Sequence, residues 1–111
     1  MHELAIADSI VRMASEHAGG RRVAKVTMRV GHLRQVVPSA LAFGFELVAA
    51  GTPVEGAELE IEHVPTTVCC DACGEESVQN EFPLRCAMCR GLNVEVVAGE
   101  ELLVESLELV G

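Results

Sequence analysis

The sequence predicts an α+β fold, two helices on one face of a three-stranded sheet with a four-cysteine module inserted before the last strand. Three observations predict it. Two segments repeat apolar residues at helical spacing, three alternate like half-buried strands, and two C-x2-C pairs lie between the second and third of those strands. Half of the 111 residues are hydrophobic but only Phe43, Phe45 and Phe82 are aromatic, so the core must be aliphatic. The organisation expected is an α/β lobe from residues 1–65 plus 99–111 and a cysteine module over 66–98.

From Glu3 to His17, Leu4, Ala7, Val11 and Ala14 form an apolar stripe broadened by Ile6, Ile10 and Met13, with Asp8, Arg12 and Glu16 on another face. This is an amphipathic helix, stopped by Gly19-Gly20. Val23 to Val30 alternates, with Ala24, Val26, Met28 and Val30 on the apolar face and Lys25, Thr27 and Arg29 on the other. Pro38 and Ser39 open a second helix carrying Leu41, Phe45 and Val48, with Gly44 allowing close approach and Gly51 as the stop. After a turn at Gly51-Thr52-Pro53 and Gly56, Ala57 to Val64 sets Leu59 and Ile61 against Glu58, Glu60 and Glu62. The acidic row should face Lys25 and Arg29 across the sheet.

Within the module, weak strands are expected around Glu75–Gln79 and Asn93–Val97. Glu101 to Val110 is the third strong strand, and its apolar phase slips from Leu102 and Val104 to Leu107 and Leu109, which predicts a bulge near Glu105-Ser106. A strand so rich in Leu and Val needs sheet neighbours that a small module cannot provide, so it returns to the first lobe.

Cys70-Asp71-Ala72-Cys73 and Cys86-Ala87-Met88-Cys89 place four thiols where they can close a tetrahedral metal shell, with Gly74 and Gly91 beside them for tight turns. The 12 residues between the pairs, 74–85, suffice for a short hairpin. Such a zinc-ribbon-like cage suits zinc, with iron the other S4 choice, and with no open position the ion is structural. A redox dithiol lacks its βαβ context and a disulfide framework needs a secreted chain. Cys69 would give C-x3-C with Cys73, so Cys70 is the better ligand and Cys69 packs or stays spare.

Met1-His2-Glu3 places an α-amine, two amide nitrogens and an imidazole within a few bonds of one another. The amine, the His2 amide and ring, and the Glu3 amide or carboxylate could wrap Ni(II) or Cu(II) in a square plane. Reference pKa values of about 7.7 for the amine and about 6.5 for the ring make affinity fall as pH drops. The commoner alternative is a solvated histidine at a polar helix start. Of the other histidines, His17 complements the first helix's C-terminal dipole, His32 lies in a solvated turn, and His63 is a partly buried structural residue.

The net charge of −9 would repel phosphate, so nucleic acid is not an expected partner, and basic protein surfaces or cations are better suited. No stretch reaches membrane-spanning length. Residues 1–20 lack a basic n-region and carry Glu3, Asp8, Arg12 and Glu16 through what would be a signal peptide's apolar core, which predicts a cytoplasmic chain. No nucleophile pair, phosphate-cradling loop or Walker motif is present, so catalysis is not expected.

Met1-His2-Glu3-Leu4-Ala5-Ile6-Ala7-Asp8-Ser9-Ile10, Val30-Gly31-His32-Leu33, Val37-Pro38 and Phe43-Gly44-Phe45-Glu46 occur in an order that resembles the HypA/HybF family of nickel-insertion accessory proteins for nickel–iron hydrogenase. Gly51-Thr52, Glu55-Gly56-Ala57-Glu58-Leu59, the four cysteines and Gly99-Glu100-Glu101-Leu102 extend the resemblance over nearly the whole chain. It implies a nickel metallochaperone with Ni(II) at Met1, His2 and Glu3 and structural Zn(II) at Cys70, Cys73, Cys86 and Cys89. The partners implied are a nickel-loading GTPase and the hydrogenase large subunit, some members also serve urease, and a monomer or weak homodimer is expected.

Ser39 and Ala40 stand where family members commonly carry an acidic residue after Pro38, so the nickel shell is not extended into the second helix. Gly74 and Arg90 follow the cysteine pairs where some members have histidine, so no histidine exchange at zinc is implied. The competing readings are a zinc-ribbon interaction module without its own nickel site and, third, a dithiol oxidoreductase.

Overall fold

The computed structural model describes residues 2–111, so Met1 of the expected nickel site lies outside the described residues. Helix α1 spans Glu3–His17, strand β1 Val23–Gly31, helix α2 Pro38–Ala49, strand β2 Glu58–Val64, β3 Thr67–Cys70, β4 Glu76–Val78, β5 Val94–Ala98 and β6 Leu102–Leu109. The strands form two three-stranded sheets, ordered β2-β1-β6 and β4-β3-β5. The α+β class therefore stands, and β3 to β5 interrupt the chain between two strands of the first sheet. The structure divides into two compact units, one of Met1–Arg29, Val36–Glu62 and Leu103–Gly111, the other of Val30–Gln35 and His63–Leu102.

In the first unit, α1 buries Ala7, Ile10, Val11 and Ala14, the i, i+3, i+4, i+7 stripe that the sequence predicts. It ends where Ala18 N–H bonds to Ala14 O, before Gly19 and Gly20 take positive φ values of 59° and 87° that side chains disfavour. On the solvent face Arg12 reaches Asp8 at 2.8 Å, and His17 in the last turn brings Nδ1 within 2.9 Å of Met13 O. Helix α2 starts on Pro38, whose missing N–H costs nothing in a first turn, and buries Leu41, Gly44, Phe45 and Ala49. Val48, expected in that core, is half-buried, and Ala49 takes its place at the end of the stripe.

Val26, Met28 and Leu41 are almost wholly excluded from solvent, as an aliphatic core requires. Strand β1 departs from expectation at its start, where Val23 is buried and Ala24 exposed. The expected cross-strand charges are present, Lys25 Nζ 2.5 Å from Glu60 and Arg29 Nε 3.6 Å from Glu62. Both partners advance in the same sense along the chain, from Lys25 to Arg29 and from Glu60 to Glu62. Along β6 the half-buried positions move from Leu102 and Val104 to Leu107 and Leu109, slipping at Glu105-Ser106 as the sequence predicts.

In the second unit, β3 is a strand that sequence periodicity missed. It pairs antiparallel with β4, Thr67 opposite Val78 and Cys69 opposite Glu76, and with β5, Cys69 opposite Glu95 and Cys70 opposite Val94. Val68 within it and Thr66 just before it are fully buried. A single 3-10 turn at His32–Arg34 precedes Gln35, which takes a left-handed φ of 53°. Gly31 N–H bonds to Glu101 O at 2.7 Å and Leu33 N–H to Gly99 O at 2.9 Å.

Candidate metal centre

Two knuckles with the same backbone plan build the cysteine site. In the first, Cys70 O accepts Gly74 N–H at 2.8 Å and Cys70 N–H donates to Glu75 O at 3.0 Å. In the second, Cys86 O accepts Arg90 N–H at 2.9 Å and Cys86 N–H donates to Gly91 O at 3.0 Å. Each loop thus turns its two sulfurs to the same side. The Sγ atoms of Cys70, Cys73, Cys86 and Cys89 all lie within 4.8 Å of one another. Cys70 to Cys89 is 3.6 Å and Cys73 to Cys86 is 3.5 Å. A zinc–sulfur bond of about 2.3 Å places tetrahedral sulfurs about 3.8 Å apart, so these four fit one metal ion.

The electrostatics prepare the same cage. In the metal-free protein, N–H groups of Cys89 and Met88, 3.5 and 3.3 Å from Cys86 Sγ, pull that thiol down to about 7 against its burial. For Cys73 a backbone hydrogen bond at Glu75 acts downward, but the hydrogen bond to Cys86, burial and the remaining thiols together push it up to about 12. Crowded thiols cannot all ionise without a cation among them, and a divalent ion removes that conflict. Cys70 and Cys86 are buried while Cys73 and Cys89 are exposed. Cys69 stays outside the cluster, its thiol 3.9 Å from Gly74 O and pushed up by burial. Among the described residues the four cysteines form the one group of three or more metal-binding side chains.

At the chain start, His2 is exposed and caps α1, its carbonyl accepting Ile6 N–H at 3.2 Å. The Glu3 carboxylate accepts Val37 N–H at 3.0 Å, a bond that holds its pKa below the usual 4.5. His2 and Glu3 line an open groove of about 590 Å³ with Leu4, Ala5, Asp8 and Val48.

Two histidines differ from expectation. His32 is half-buried, not solvated, and its Nε2 lies 3.0 Å from Asn80 O. His63 is exposed, not partly buried, and meets His32 edge to face with ring centroids 5.6 Å apart. No periodicity signals such a pair, because the segments that carry it are joined only by the fold.

Two helices on a three-stranded sheet, with a second sheet whose turns close four sulfurs into a tetrahedral cage, define a small α+β metal-binding protein. The chain belongs to the HypA family, whose model, described as hydrogenase/urease nickel incorporation, metallochaperone, hypA, matches residues 1–109. It is 44% identical to a hydrogenase maturation factor HypA of Geobacter metallireducens over 98% of this chain and 99% of that one. It is 43% identical to the factor of the same name from a Roseiflexus species, over 97% of this chain and 91% of that one. A solution structure of the Ni metallochaperone HypA from Helicobacter pylori shares the fold, with a TM-score of 0.67, 23% identity and coverage of 99% of this chain and 98% of that one. A second solution structure of a HypA protein superposes with a TM-score of 0.72 at 24% identity, covering 99% and 97% of the two chains. By family, the chain is a metallochaperone of hydrogenase maturation and not a catalyst.

Proposed function

We propose that this chain binds Ni(II) at its first three residues, Met1, His2 and Glu3, and delivers it during maturation of nickel–iron hydrogenase, with a structural zinc ion at Cys70, Cys73, Cys86 and Cys89. The observation that carries the reading is the family match, which begins at residue 1 and so covers Met1, His2 and Glu3, whose donors suit such a chelate. The exposure of His2 beside an open groove supports it, since a competing ligand can reach the ion there. With the Glu3 carboxylate occupied by Val37 N–H, the Glu3 amide is the donor better placed to complete a nitrogen plane.

The two metals have opposite roles. An open chelate at a chain start can be taken apart ligand by ligand, whereas four thiolates on two bonded knuckles hold their ion. Zinc supplies only the folding energy that crosslinks β3 and the two turns. The lobe of residues 1–65 plus 99–111 then carries the cargo and residues 66–98 the scaffold. A nickel-loading GTPase supplies or prompts the transfer, the hydrogenase large subunit receives the ion, and urease is a further recipient; the compartment is the cytoplasm.

Titrating Ni(II) into untagged, zinc-loaded protein tests this. The parent should take up nickel that neither His2→Ala nor a version extended before Met1 retains. Equal uptake by all three would rule out the chelate at the chain start.

A further inference from the structure

His32 and His63 form a pair that neither the cysteine cage nor the chain start uses. His32 sits in the 3-10 turn closed by Gln35 N–H to His32 O, and its Nε2 lies 3.0 Å from the Asn80 carbonyl oxygen. A carbonyl oxygen only accepts, so Nε2 carries the hydrogen and neutral His32 keeps its lone pair on Nδ1. This is the arrangement of a metal-bound imidazole: one ring nitrogen donates to a backbone carbonyl, which fixes tautomer and ring direction, and the other is left for the ion. Asn80 is itself held, its Oδ1 accepting Thr66 N–H at 3.0 Å while Gln79 N–H donates to Thr66 O at 2.9 Å.

The second ring is within reach of the same ion. With metal–nitrogen bonds of about 2.1 Å, two imidazoles on one ion have centroids between about 4.5 Å, at a right angle, and about 6.4 Å, in line. The 5.6 Å between His32 and His63 lies inside that range. His63 is exposed, so its ring can turn from the edge-to-face contact to bring a nitrogen beside His32 Nδ1. Imidazole suits Ni(II), Cu(II) and Zn(II) alike.

We propose that His32 Nδ1 and His63 form a second metal site, an open two-imidazole seat for a divalent ion, Ni(II) in this family, whose other positions are filled by water. No third side chain closes it among the described residues. It is therefore a weak seat from which an ion passes on easily. The site goes beyond the chelate at the chain start and does not depend on it.

The test is Ni(II) added to zinc-loaded His2→Ala protein, followed by histidine ring NMR signals and by equilibrium dialysis. The ring signals of His32 and His63 should shift or broaden together, ahead of His17. Adding His63→Ala to that background should weaken the uptake at least about tenfold with the amide spectrum otherwise unchanged, since the residue is exposed. Uptake unaltered by His63→Ala, perturbation of His17 first, or no ring signal affected would each overturn the site and leave the pair as a packing contact. Failure of the N-terminal chelate is read elsewhere, in the comparison of the parent with His2→Ala.

Discussion

Gly74 and Arg90 hold the same place in the two cysteine knuckles, each donating its N–H to the carbonyl of the leading cysteine and each with a left-handed backbone, φ 76° and 61°. Glycine adopts that conformation freely, whereas a side chain incurs strain of about 1–2 kcal/mol. Arg90→Gly should therefore stabilise the zinc-loaded protein by about 0.5–1 kcal/mol, the remainder being offset by glycine's greater freedom when unfolded. Gly74→Ala should cost a similar amount. Guanidinium unfolding of both variants checks the pair, and zinc content should not change in Arg90→Gly.

Gly31 and Gly99 are needed for a different reason. A Cβ on Gly31 would lie 2.0 Å from Gly99 O, and one on Gly99 would lie 2.7 Å from the backbone of fully buried Thr66 while φ stands at 113°. Neither neighbour is a flexible side-chain end, so the backbone itself must move. Alanine at either position should destabilise by about 3 kcal/mol or more. Gly20→Ala, with nothing within 4 Å and only its φ of 87° to strain, should cost about 1–2 kcal/mol in the same denaturant series.

Glu3 gives a pH dependence with a definite sign. Its folded-state pKa lies below the ordinary 4.5 because the ionised carboxylate accepts Val37 N–H. The bond's contribution is fully present above pH 4.5 and is lost as pH falls through the lower folded value. The Val37 amide proton shift should report this as a titration midpoint below 4.5, absent in Glu3→Gln. A midpoint at or above the ordinary value would show that the bond does not persist in solution.

How much of this was legible in the sequence depends on the range of the interaction. The stripe Ala7, Ile10, Val11, Ala14 and the alternation Val26, Met28, Val30 repeat within a few residues, and both packed as read. The slip in β6 at Glu105-Ser106 was visible for the same reason. Strand β3 was not, because Thr67-Val68-Cys69-Cys70 is too short for an alternating signal and its last residue, Cys70, reads first as a metal ligand. Sulfur convergence followed from the C-x2-C spacing, since the constraint is local to each turn. The environments of His32 and His63 were misjudged because neighbours in the sequence say nothing of Asn80 or of each other.

The cysteine cage makes the last prediction a matter of which parts of the chain depend on metal. A structural zinc ion contributes on the order of 10 kcal/mol to folding in small modules, and β3 to β5 are short strands of four, three and five residues. Removing the ion with a strong chelator should therefore abolish amide protection in β3, β4 and β5. Helices α1 and α2 bury their own apolar faces and should keep theirs. Cys86→Ser should act like chelation, because it removes the sulfur that accepts N–H from both Met88 and Cys89. Cys69→Ser should keep one zinc per chain, because that thiol stands outside the cluster. Hydrogen exchange with metal analysis checks all three. Loss of zinc in Cys69→Ser would put that thiol among the ligands, and unchanged protection of β3 after chelation would mean that the cage is not what orders these strands.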